Sequence, residues 1–411
     1  MTTEATCSQP ALTQPEFKKP IYMYLLKVTE FCNLNCPYCY MFNLSDKTYL
    51  KKPKIMPIEM VPTIVNKVVA LAKRQDVKNL TISLHGGEPM LAGREWIREA
   101  MGIFRDIGRD DITFNFFMQT NGVLIDQKWI DFWEEMGIKV GLSMDGTPEV
   151  HDRNRIDFNG RGSYKAVARG LALLKDNKKV FTGVLCVMDP TVDGLEIYHH
   201  FRELGVDRMD FLWPLEQNWN HLPPGLEEAG ATPYADYLIP IFDTWWREDN
   251  QDIRIRYFQQ ILLNIFGSRN GLDSLGGNPI SITTIDSDGS IEPVDSLRAC
   301  ADGLTNLEIN IKRDPIEAIY DTGLFKTALG GQEGLCDTCQ SCALHDVCGG
   351  GYLPHRYSSE TGFANPTVYC RDVWKLATHI LNTVTEEMRH AGCIPPAALS
   401  AHSAEHHLPA A

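Results

Sequence analysis

Between Tyr24 and Pro214 the chain alternates short apolar runs with amphipathic stretches, and this alternation restricts the fold more than any other feature. The runs LLKVT (25–29), LTISLHG (80–86), FNFFMQT (114–120), KVGLSMD (139–145), VFTGVLCVM (180–188) and MDFLWP (209–214) are almost continuously apolar. Parallel strands covered by helices have that character. Over 58–72, Val61, Ile64, Val65, Val68 and Leu71 recur at helical spacing and form one stripe. Six β/α units in about 190 residues predict an α/β fold, a partial (β/α)6 barrel of the TIM type. A doubly wound sheet is the alternative.

The pattern breaks after Pro214. Residues 215–232 (LEQNWNHLPPGLEEAGAT) read as a linker or lid, followed by helical segments at 233–247 and 253–266. ITTIDSDGSIEPV places Asp288-Gly289 between two β-like runs, a hairpin signal. A helix over about 372–390 would bury Val373, Leu376, Ile380, Val384 and Met388. The expected layout is a mobile arm (1–20), the barrel (21–214), bridging helices (215–280), a cysteine-rich domain (281–392) and a disordered tail (393–411).

The net charge of −14 argues against a nucleic-acid partner, which calls for a basic field. No apolar run approaches the ~20 residues of a membrane helix, and the polar start lacks a signal-peptide core. A cytoplasmic location is expected. Twelve cysteines without a secretion signal then point to metal or redox chemistry rather than to disulfides. Cys186, in an apolar strand, reads as a buried small hydrophobe, and Cys7 and Cys393 fall in the tails.

The stretch FCNLNCPYCY places Cys32, Cys36 and Cys39 in a loop after the first strand, at the barrel end where such folds keep their active sites. Three thiolates can hold three irons of a [4Fe–4S] cluster and leave the fourth open; a zinc knuckle with a remote fourth ligand is the plainer reading. This spacing, with Tyr38 before the last cysteine, resembles the radical S-adenosylmethionine (SAM) enzymes. HGGEP, with Gly86, Gly87 and Glu88, is similar to the motif that binds the SAM amino group in that family. MQTNG supplies Gln119 and Asn121, GLSMDG supplies Ser143, and HDRNR supplies Arg155 as a partner for the SAM carboxylate. The resemblance implies that SAM chelates the open iron and is split reductively to a 5′-deoxyadenosyl radical.

CDTCQSCALHDVCGGGYLPHR, with Cys339, Cys342, Cys348 and the distant Cys370, resembles the SPASM extension of radical SAM peptide-modifying enzymes. That resemblance implies at least one auxiliary [4Fe–4S] cluster on these four cysteines, although zinc fits the residues equally well on chemistry alone. The family pattern for a second auxiliary cluster is broken. Tyr352 and Val294 stand where it has cysteines, and Cys300 and Cys336 are left over.

The motifs HGGEPMLAG, IDSDGSIEPVDSL, CGGGYLPHRY and GFANPTVYC most resemble peptide maturases that form three-residue cyclophanes. The implied reaction removes a β-hydrogen from a ribosomal precursor peptide and joins that carbon to an aromatic ring. Anaerobic sulfatase maturation, giving formylglycine, and thioether formation are the alternatives. An external one-electron donor such as flavodoxin or ferredoxin is implied. A proton acceptor is also needed, and Asp210 and Asp295 are the candidates, against a purely structural role. No leader-binding domain is visible, so the barrel rim, the 215–280 region or a separate protein would hold the precursor.

Overall fold

The computed structural model describes residues 19–225, 230–268 and 272–393. The expected arm, apart from Lys19 and Pro20, and the expected tail beyond Cys393 lie outside these residues. Six parallel strands follow one another in order: β1 (Met23–Thr29), β2 (Asn79–Gly86), β3 (Thr113–Thr120), β4 (Ile138–Ser143), β5 (Phe181–Val187) and β6 (Arg208–Leu212). The sheet order 6-5-4-3-2-1 has no reversal point, so the winding is that of a barrel segment and not of a doubly wound sheet. The helix Val61–Arg74 buries the expected stripe of Val61, Ile64, Val65, Val68 and Leu71. Asp126 caps the helix Gln127–Met136 by accepting from Trp129 N, and Gly137 ends it in the left-handed region.

Two later segments extend this sheet. Arg254–Ile255 (β7) pairs with β6, so the helix expected from 253 starts only at Arg256. The Asp288-Gly289 hairpin, β8 (Ile282–Ile285) and β9 (Ile291–Glu292), joins the opposite edge, with β8 parallel to β1. The hairpin is therefore part of the barrel sheet rather than of a separate cysteine-rich unit.

Buried charges fasten it there. Arg298, with no exposed surface, donates to Glu292 through Nε (3.1 Å) and Nη2 (2.9 Å) and also reaches Asp286. Lys52, beyond the cysteine loop, bonds the same two carboxylates. The start of the expected lid is pinned rather than loose: Trp219 donates from N to Tyr357 O (2.9 Å) and from Nε1 to Pro366 O (2.7 Å). The long helix Cys370–His390 packs along Pro233–Glu248, and its Asp372 caps that helix by accepting from Tyr234 N and Ala235 N. Among the described residues no helix is long and apolar enough to cross a membrane.

Candidate active site

The loop after β1 is folded by its own backbone. Cys39 N donates to Cys36 O at 3.0 Å and Asn43 N to Cys39 O at 2.8 Å, a tight turn that sets Cys36 and Cys39 on one side. With Cys32, they line one cavity of about 430 Å³ at the C-terminal ends of the strands. As free thiols they hold their protons: burial pushes Cys32 up to about 12 and Cys36 to about 11, and raises Cys39. Metal binding must therefore release protons. Asn121, the expected residue after β3, donates from Nδ2 to Asn33 Oδ1 at 2.8 Å and approaches Cys32 Sγ at 3.5 Å.

Gly86 and Gly87 line the cavity and also pack closely on the chain entering the cysteine loop. A Cβ on Gly86 would stand 2.1 Å from Thr29 O, and one on Gly87 2.1 Å from Phe31 O. Gly87 N and Glu88 N donate to those same carbonyls. The Glu88 carboxylate does not line the cavity. It is fully buried and accepts from Met90 N (3.1 Å), Thr120 Oγ1 (2.8 Å) and Asn121 N (2.8 Å), so it braces the turn.

Gln119 and Ser143 line the cavity wall, joined by Gln119 Nε2 donating to Ser143 Oγ at 2.8 Å. Gln119 Oε1 is buried without a partner, an acceptor fitted to a ligand that brings N–H or O–H donors. Arg155 also lines the cavity, but its guanidinium already forks Asp145, from Nε at 2.8 Å and Nη2 at 3.1 Å. Tyr38 donates to the same carboxylate and lies under the guanidinium, its ring centre 5.7 Å away.

The two proposed proton acceptors both line the cavity but are held differently. Asp210 has both oxygens engaged, accepting from Arg256 Nε (2.7 Å) and from Tyr257 N (3.0 Å) at the start of the helix Arg256–Ile265. Asp295 faces the cavity and is held by Lys27, by Tyr40 Oη (2.6 Å) and, more distantly, by His85 Nδ1 (3.6 Å). The ammonium of Lys27, outweighing burial together with His85 and Tyr40, keeps this carboxyl well below the usual range. Lys27, Tyr40 and His85 were not singled out from sequence. The available signals were a lysine inside the apolar run LLKVT and a histidine directly before GGEP.

The model of the radical SAM superfamily matches residues 26–206, the span that carries the three-cysteine loop, Gly86, Gly87, Gln119, Ser143 and Arg155. Residues 26–206 thus form a radical SAM core. Across 363 residues it is 28% identical to the cysteine-type anaerobic sulfatase-maturating enzyme of Clostridium perfringens, covering 86% of this chain and 94% of that enzyme. It is 25% identical to the serine-type enzyme of Bacteroides thetaiotaomicron over 389 residues, 90% of this chain and 92% of the relative. The solved structure "Native anSMEcpe with bound AdoMet and Cp18Cys peptide" superimposes with a TM-score of 0.76 at 25% identity, covering 90% of this chain and 99% of that one.

Beyond the radical SAM core, Cys339, Cys342, Cys348 and Cys370 lie within electrostatic reach of one another, and Cys336 lies within reach of Cys339 and Cys370. Arg356 stands beside Cys339, Cys336 and Cys348. Among the described residues no three His, Cys, Asp or Glu side chains close around a single metal ion. Cys300 is elsewhere. It packs with Val294, Leu297, Leu353 and the partly buried Tyr352 in an apolar satellite core. The two positions at which the family pattern lacks its cysteines thus meet in one filled space. Cys300 lies in that satellite core, whereas Cys336 lies beside Cys339.

Proposed function

We propose that this radical SAM enzyme oxidises the β-carbon of a Ser or Cys residue in a peptide or protein substrate, as an anaerobic sulfatase maturase does. The observation that carries this reading is an ionised carboxylate, Asp295, in the same cavity as the three-cysteine loop. Likeness along nearly the whole chain to both cysteine- and serine-type maturases supports it. The cyclophane crosslink expected above rests on motif resemblance alone and is the weaker reading.

We assign Cys32, Cys36 and Cys39 to the radical-generating cluster and Cys339, Cys342, Cys348 and Cys370 to an auxiliary one. Gln119, Ser143 and Arg155 are assigned to SAM. When bound, these groups supply a 5′-deoxyadenosyl radical that takes a hydrogen atom from carbon, and an acceptor for one electron. The chain's own task is the proton. Removing one hydrogen atom, one electron and one proton from CH₂–OH or CH₂–SH leaves C=O or C=S, and Asp295 takes that proton from the hydroxyl or thiol. The Trp219 anchors hold the wall segment after β6 in place, which helps keep water and stray hydrogen donors from the cavity.

Mass spectrometry of a candidate peptide, incubated anaerobically with enzyme, SAM and a one-electron donor such as flavodoxin, tests the reading. An aldehyde is the expected product, formed directly at Ser and, at Cys, once water has replaced the sulfur of C=S and H₂S has left. A loss of two mass units with an aromatic-to-Cβ link would favour the crosslink instead, and a Cys-to-α-carbon link the thioether alternative.

A further inference from the structure

A lysine whose side chain has no exposed surface stands inside the barrel. Lys27 lies in the middle of β1, directly across the register from His85 of β2. Its Nζ bonds Asp295 Oδ2, lies 2.9 Å from His85 Nδ1, and contacts Met41 Sδ at 3.2 Å. An ammonium donates only, so His85 Nδ1 accepts there and its proton sits on Nε2. Burial lowers the imidazole further, to about 4, and keeps it neutral. The three groups form a compact triangle, with His85 Nδ1 also 3.6 Å from Asp295 Oδ2 and His85 partly open to the cavity.

We propose that Lys27 is a positioning residue that holds Asp295 ready as a carboxylate, and that Asp295, Lys27 and His85 form the path by which the substrate proton leaves. The proposal rests on Asp295 being the base. Protonated Asp295 returns its proton to Nζ as another Nζ–H passes to His85 Nδ1. Lysine keeps its charge, the aspartate regains its own, and the imidazolium releases the proton from its open edge. The other titratable groups facing Asp295 are Tyr40 from the cysteine loop, Arg298 from its own segment, and Tyr352 and Asp273 from the C-terminal half. Of these, Tyr40 donates to the carboxylate and Arg298 already serves Glu292 and Asp286, so Lys27 is the cation bonded to it.

Four variants test this: Lys27→Met, Lys27→Arg, His85→Gln and Asp295→Asn. First, the carboxyl infrared band assigned to Asp295 by difference from Asp295→Asn is titrated in metal-free protein. In wild type it stays ionised through the acid range; in Lys27→Met the protonated band should persist to near-neutral pH, and Lys27→Arg should restore the wild-type position. Second, 5′-deoxyadenosine and oxidised peptide are counted in reconstituted enzyme. Lys27→Met should move the acid limb of peptide oxidation to higher pH and raise the ratio of 5′-deoxyadenosine to product about tenfold, with iron content unchanged. His85→Gln should raise the same ratio without changing KM for the peptide, which keeps the test decisive if Lys27→Met fails to fold. A wild-type carboxyl titration in Lys27→Met, or wild-type coupling in His85→Gln, overturns the proposal. Peptide oxidation that survives Asp295→Asn would instead sink the base assignment itself.

Discussion

Arg155 grips Asp145 through two hydrogen bonds, Nε to Oδ2 at 2.8 Å and Nη2 to Oδ1 at 3.1 Å, with both residues buried at the rim of the cavity. Val187 N donates to Oδ1 of the same carboxylate, so one aspartate ties β4's end to β5. Removing one partner of a buried pair leaves an uncompensated charge, which costs about 3–5 kcal/mol. Asp145→Ala is expected to lower the denaturant midpoint accordingly. Asp145→Asn, which keeps the shape and one acceptor, should lose less.

The cysteine triad and the auxiliary cysteines are expected to load independently. Changing Cys32, Cys36 and Cys39 together to Ala should abolish 5′-deoxyadenosine formation while leaving about four irons per chain. Iron and sulfide analysis after anaerobic reconstitution measures this. An iron-free triple variant would mean that the C-terminal cysteines hold no cluster of their own.

Gly87→Ala should unseat the cysteine loop. The new Cβ would meet Phe31 O at 2.1 Å and the Phe42 ring at 2.9 Å. Overpacking typically costs about 1–3 kcal/mol, and a clash with backbone belongs at the upper end. A lower melting temperature together with reduced iron uptake is the expected pair of results. Stability loss with full iron would show that the loop had adapted.

Glu88 gives the protein a pH-dependent component of stability. Burial pushes its carboxyl up to about 7 from an ordinary 4.5, against the pull of three hydrogen bonds. The folded chain then holds a proton that the unfolded chain has released, so stability falls as pH rises between those values. Glu88→Gln should cost about 1–3 kcal/mol at acid pH, because an amide donor faces Asn121 N–H. It should also flatten that slope, recovering up to about 3 kcal/mol relative to wild type by neutral pH. Chemical denaturation across the range reads both effects.

The six core strands were legible because parallel strands buried on both faces announce themselves as apolar runs. The cavity residues at strand ends were legible through short motifs, and Cys32, Tyr38, Gln119, Asn121, Ser143 and Arg155 do converge. Lys27 was not legible as a site residue, since its meaning depends on Asp295, 268 positions away. The same long separation hid the pairing of β8 with β1, and the hairpin was read as belonging to the C-terminal region. Glu88 read as a ligand because its motif carries a carboxyl group, yet the oxygens of that group accept from three protein donors.

The parallel pairing of β1 with β8 also sets an order in time. Leu26 pairs with Ile285, about 260 residues later in the chain. At a synthesis rate of roughly 5–20 residues per second, that edge of β1 waits on the order of 13–50 s on the ribosome for its neighbour. An unpaired apolar strand edge invites foreign strands during that interval. The nascent barrel therefore needs shielding, and versions of the gene ending near residue 214 should accumulate as aggregates.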